Sequence, residues 1–152
     1  MIGIEEIRAT LPHRFPFLMI DRILAQEDGR VVGWKNVTIN EPFFQGHFPE
    51  PIGAIMPGVL ILEAMAQTAA FLVPPSTRGG KRAGYYAGVD KARFRRQVVP
   101  GDQLRLEATL VRYRHGILQA DVTATVEDET AASARLSLAV AEAPSDPAAG
   151  AA

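Results

Sequence analysis

Between Pro57 and Val73 the chain reads PGVLILEAMAQTAAFLV, and Glu63 is the one charged residue in that run. A stretch that is apolar around its whole circumference predicts a helix buried on all sides. A carboxyl group in such a helix is costly unless it is paired, hydrogen-bonded or kept protonated. Gln67 follows four residues later, one turn along the same face, where its amide can orient the carboxyl. Upstream, Gly46-His47-Phe48-Pro49 sets an imidazole in a tight segment. These residue types together suit general acid–base chemistry. Burial favours the neutral form of Glu63, which can then donate a proton, and the imidazole of His47 can accept one. The backbone amides of Gly58 and Val59 open the helix and can stabilise developing negative charge.

The other two histidines have plainer expectations. His13 should pack or cap locally, and His115, in the turn-like RYRHG, should face solvent. His13, His47 and Glu63 do not have the spacing of a metal site, so no metal is expected.

These residues need a scaffold, and 152 residues are enough for one domain with a real core. The formal charge of −1 gives no bulk attraction to nucleic acid or to an anionic membrane. The absence of cysteine removes disulfides, thiolate nucleophiles and thiolate metal sites together. The N-terminal residues lack the basic start and long apolar run of a signal peptide, and the central apolar run is short and interrupted for a membrane span. A cytoplasmic protein is expected.

Along the chain, Ile4 to Thr10 suits a short amphipathic helix. Ile23 to Gln26 and Val31 to Ile39 read as strands joined by the hairpin signal Asp28-Gly29. Asn40 to Met56 reads as a long ordered loop, a kind of segment that usually carries function. The helix from Pro57 follows, and Pro74 to Arg82 reads as a mobile connection. From Tyr85 onward the period becomes two, as in Leu104, Leu106, Ala108 and Leu110, then Leu118 to Val126, then Ala134 to Val140. That is an antiparallel meander with one dry face, turning at Gly116 and at Glu127-Asp128-Glu129. One domain is expected over residues 1–142, with a disordered tail over 143–152.

One buried helix and a curved antiparallel sheet imply an α+β hotdog fold, the sheet wrapped around a long central helix. A single copy would leave sheet edges bare, so a dimer joined at those edges is expected.

Four ordered blocks carry a further resemblance: LPHRFPFLMIDR from Leu11, NVTINEPFFQGHFP from Asn36, MPGVLILEAMAQ from Met56 and YYAGVDKARFRRQVVPGDQL from Tyr85. The chain resembles the β-hydroxyacyl-acyl carrier protein dehydratases of bacterial type II fatty acid synthesis, the FabZ type, from Leu11 to about Ala141. The resemblance implies that His47 and Glu63 are the catalytic pair, supplied across a dimer interface, and that three dimers form a hexamer. It implies an acyl tunnel with Phe48 near its wall and an aromatic gate at Tyr85 or Tyr86. The substrate would arrive on the phosphopantetheine arm of an acidic acyl carrier protein, with no metal or redox cofactor. Arg93, Arg95 and Arg96 would either dock that carrier or simply form a solvated strand face.

Two features depart from the family pattern. Glu50 to Ile55 is about two residues longer than the usual link between the two catalytic blocks, and Gln97 stands where proline is usual. The longer link is expected to tune substrate choice rather than chemistry. Three functions stay open at this stage: a dehydratase of fatty acid synthesis, a related hotdog enzyme (a thioesterase, or a dehydratase of polyketide or polyene synthesis), and a non-catalytic subunit that binds a carrier protein. The presence of both His47 and Glu63 weighs against the last.

Overall fold

Alternating apolar residues on three long strands provide one continuous dry face, and a helix rich in Ala, Leu and Met lies across it. The computed structural model describes residues 1–74 and 81–142. The elements run α1 (Ile4–Thr10), β1 (Arg22–Glu27), β2 (Arg30–Asn36), a 3-10 turn (Pro42–Gln45), α2 (Gly58–Ala69) with a 3-10 extension (Ala70–Leu72), β3 (Arg82–Phe94), β4 (Gln103–Arg114), β5 (Ile117–Val126) and β6 (Glu129–Glu142). The six strands form one sheet in the order β1-β2-β4-β5-β6-β3, with every pairing antiparallel. This is the α+β hotdog arrangement expected from the sequence.

Cross-strand pairs on the inner face put a large residue opposite a small one. Leu106 faces Ala124, and Ala120 faces Leu136. The alanines leave room for α2 to sit in the concavity, where Ala64, Met65 and Ala69 are fully buried. Gly33 is part of this fit, because a Cβ there would stand 2.6 Å from the Thr68 hydroxyl. Register shifts in β3, between Tyr86 and Gly88 and between Asp90 and Arg93, are bulges of the kind that bend a strand and deepen its twist.

Several boundaries differ from expectation. The strand expected to reach Ile39 stops at Asn36, and Ile39 is exposed. From Val37 the backbone instead bonds the loop after β3, through Val37 N–H to the Asp102 carbonyl and Gly101 N–H to the Val37 carbonyl. The helix expected to run to Val73 is α-helical only to Ala69, then tightens into the 3-10 extension ahead of Pro74, a residue type that restricts its predecessor to extended geometry. Nor is it buried on all sides, since Val59 is 70% exposed in the single chain. The meander holds for β4, β5 and β6, but β3 joins the sheet beyond β6 as an edge strand. The expected turns fall at His115-Gly116 and Glu127-Asp128. Most of the expected mobile connection at 74–82, and the expected tail at 143–152, lie outside the described residues. No helix among those residues is long and apolar enough to cross a membrane.

Candidate active site

Glu63 lies midway along α2, and its carboxyl is 17% exposed. Gln67 donates to Oε1 at 2.8 Å from one turn further on. The same amide ties the helix to the segment before β1, donating to the Phe17 carbonyl at 2.6 Å and accepting the Met19 N–H at 2.9 Å. The Tyr86 hydroxyl donates to Oε2 across 3.2 Å from β3. His13 Nε2 lies 3.3 Å from Oε1. With Leu11, Ala66, Ala70, Gly84, Leu138 and Val140 these groups enclose a narrow cavity of about 20 Å³, room for about one water.

Burial alone pushes the Glu63 carboxyl up, but hydrogen bonds from His13, Gln67 and Tyr86 outweigh it and hold the group below the ordinary carboxylate range. The neutral Glu63 expected from its apolar surroundings is thereby corrected for the single chain: besides Gln67 on the helix itself, His13 from the segment before β1 and Tyr86 from β3 reach it, and neither belongs to the helix sequence. Burial, and after it the neighbouring Glu63 charge, push the Tyr86 phenol up, so it stays protonated as a donor.

His47 is held by its own loop. The Lys35–Glu41 ion pair, 3.0 Å and nearly buried at the lysine, pins the loop's start, and the Met56 N–H to Val98 carbonyl bond pins its end. The Ile55 carbonyl lies 2.7 Å from His47 Nδ1. A proton on Nδ1 satisfies that contact and leaves Nε2 with a free lone pair, the form a base requires. The His47 and Phe48 rings stack with centroids 3.9 Å apart. The longer link closes back on the histidine, through Phe48 N–H to the Gly53 carbonyl at 3.2 Å and Ile55 N–H to the His47 carbonyl at 3.0 Å. Gly53 has φ +97°, a conformation that needs glycine, and Ile52 stands exposed at the tip.

His47 lines an open cleft of about 470 Å³ with Gly58, Phe94, Arg95, Gln97 and other residues. No side chain caps α2, and its first bonded amide is that of Leu60, so the Gly58 and Val59 amides lie ahead of the helix's own hydrogen bonds. A Cβ at Gly58 would stand 2.9 Å from the Phe94 ring, so the tight approach of that strand depends on glycine there.

Within one chain His47 and Glu63 line different cavities. The helix amides lie with His47, while Gln67 and Tyr86 lie with Glu63. Tyr85 takes the opposite face of β3 from Tyr86 and is exposed. Of the three arginines, Arg96 is committed to ion pairs with Glu129 at 3.0 Å and Asp102 at 3.5 Å. Arg93 and Arg95 are exposed, and Arg95 borders the His47 cleft. His115 is exposed as expected. No group of three or more His, Asp or Glu side chains among the described residues is arranged to hold a metal. Sequence reasoning missed His13, giving it only local packing. The available signal was a titratable ring between Pro12 and Pro16 in an otherwise mostly apolar segment, the same logic that singled out His47.

The hotdog fold and a buried carboxyl on its central helix define a class, and comparison with known proteins places the chain within it. A model of the FabA-like domain matches residues 11–135, and the chain belongs to that family. Its curated relatives include the 3-hydroxyacyl-[acyl-carrier-protein] dehydratase FabZ of Exiguobacterium sibiricum, 51% identical over 141 residues, spanning 92% of this chain and 99% of the relative. The protein of the same name from Pelotomaculum thermopropionicum is 52% identical over 141 residues, with the same coverage. Among solved structures, the dehydratase heterocomplex ApeI:P from Xenorhabdus doucetiae shares the fold at 17% identity and a TM-score of 0.72, over 92% of this chain and 91% of that one. The enzyme class expected from the sequence is the class these curated relatives carry by name.

Proposed function

We propose that the chain removes water from 3-hydroxyacyl thioesters presented on acyl carrier protein, giving the trans-2-enoyl thioester, at a site shared between two copies. His47 Nε2 takes the proton from the carbon beside the thioester carbonyl. The carbonyl oxygen, gaining charge, lies against the amides of Gly58 and Val59. Glu63 gives a proton to the departing hydroxyl, which leaves as water. The carbon–hydrogen and carbon–oxygen bonds break as the double bond forms, so no oxidant or metal enters the balance.

The observation that carries this reading is the division of the site: a base with a helix N-terminus in one cavity, and a triply bonded carboxyl in another. The bare edge of β3 and the exposed Tyr85, Val89, Phe94 and Val59 give a second copy a surface to meet. That copy brings its own His47 beside this Glu63, and the resemblance extends the assembly to three dimers. In the single chain hydrogen bonds hold the Glu63 carboxyl low and burial acts upward on it, so an acyl chain that excludes the remaining water favours its protonated form. Arg95 borders the His47 cleft and Arg93 is exposed on β3, and both charges suit an acidic carrier, in a cytoplasmic setting. Tyr86 is the better placed of the two tyrosines to act as a gate, and Phe48 lies beside the base.

The direct test is turnover of carrier-bound 3-hydroxyacyl substrates. His47→Ala and Glu63→Gln should each lose on the order of 10²–10⁴ in kcat while remaining folded. Near-normal turnover by either variant would remove that residue from the chemistry.

A further inference from the structure

The segment from Leu11 to Met19 is built as a strap over α2, more heavily bonded than its lack of regular structure suggests. The Arg14 guanidinium donates to the carbonyls of Arg8 at 3.0 Å, Leu11 at 3.1 Å and His13 at 2.6 Å, fixing the backbone on both sides of the imidazole. Gln67 grips the same strap further along, through Phe17 and Met19. The two nitrogens of the His13 ring are in unequal positions. Nε2 lies 3.3 Å from Glu63 Oε1, whereas Nδ1 is buried and has no hydrogen-bond partner. A proton on Nε2 meets an acceptor, and a proton on Nδ1 would be buried unmet. The ring therefore presents Nε2–H to the carboxyl.

We infer that His13 is a positioning residue for the reacting carboxyl: with Gln67 it occupies Oε1 and leaves Oε2, which among the described residues meets the Tyr86 hydroxyl, as the oxygen that exchanges a proton with substrate. The inference rests on the proposed dehydration. The distances divide the two oxygens cleanly. Oε1 faces the buried Gln67 amide at 2.8 Å and the half-buried His13 ring at 3.3 Å. Oε2 faces one phenol at 3.2 Å, on a residue that is 46% exposed in the single chain. The groups around the carboxyl are His13 from the strap, Gln67 from α2 and Tyr86 from β3, with Arg82 of β3 lining the same cavity. The strap thus belongs to the active site, although it lies some fifty residues before the helix it serves.

The test compares the wild type with His13→Phe, which fills the space without a donor, and His13→Gln, whose amide can reach the Nε2 position. The Glu63 carboxyl is followed by NMR on protein carrying ¹³C-labelled glutamate, alongside kcat and KM. In His13→Phe the carboxyl should titrate at a higher pH than in wild type, and kcat should fall on the order of tenfold with KM little changed. His13→Gln should recover most of both. His13→Met, again without a donor, takes the place of the Phe variant if that one fails to fold. An unchanged titration and kcat in a folded variant without the donor would overturn the inference, as would a His13→Gln variant no better than His13→Phe. Turnover retained by Glu63→Gln would instead remove the reading on which the inference rests, and the titration result would still report on the His13 contact.

Discussion

Glu63 shows how a single residue's chemistry depends on what reaches it. Its apolar neighbours on the helix argue for a neutral acid, yet three donors from the strap, the next helical turn and β3 stabilise the charged form. The sign of its effect on stability follows. A carboxyl that titrates lower in the folded chain than its unfolded value of about 4.3 contributes stability that is fully present above that value and is lost as pH falls through the folded value. Urea unfolding of wild type and Glu63→Gln should therefore show the wild type losing ground to the variant as pH is lowered below about 5. A wild type that gains on the variant with acidification would mean that burial dominates after all.

The loop between the base and α2 illustrates what an element can add. Its extra residues do not trail into solvent, because the Gly53 and Ile55 backbone bonds bring them back onto Phe48 and His47. The carbonyl that sets the tautomer of His47 belongs to Ile55, at the end of this link. Glu50, Pro51 and Ile52 are exposed at the tip, and Ile52, 68% exposed, is the large apolar side chain among them that can meet an arriving acyl chain. Ile52→Ala should leave His47 in place and change the ranking of kcat/KM over a series of acyl lengths by a few-fold per step, as expected at about 0.8 kcal/mol for each buried CH₂. An identical ranking in the variant would show that the tip takes no part in specificity.

For the whole molecule, the edge position of β3 matters most. It leaves a thirteen-residue strand paired on one side only, next to the exposed Val59 and Phe94. If the second copy supplies the missing half of each site, two dead variants can repair one another. Mixing His47→Ala with Glu63→Gln under conditions of subunit exchange should restore up to about a quarter of wild-type activity, since half the dimers are mixed and each of those holds one intact site. No recovery, with exchange shown by mass spectrometry, would place both residues of a working site in the same chain.

The alternation in β4, β5 and β6, the turns at Gly116 and Glu127-Asp128, and a helix carrying Glu63 and Gln67 were all legible in the sequence, because local period, turn chemistry and an i, i+4 spacing depend on near neighbours. The blocks around His47 and Glu63 were legible for the same reason. Strand order was not, since β3 joins β6 across a span of sequence that carries no local mark of it. The point at which α2 tightens into a 3-10 turn was set by packing and by the proline beyond. The place of His13 was hidden as well. Nothing in LPHRFPF says which carboxyl lies above it, and only the folded strap, held by Arg14 and Gln67, brings that ring within 3.3 Å of Glu63. The charge on Glu63 was decided in the same way, because to the nearby Gln67 the fold adds His13 and Tyr86, donors distant in sequence and adjacent only after folding.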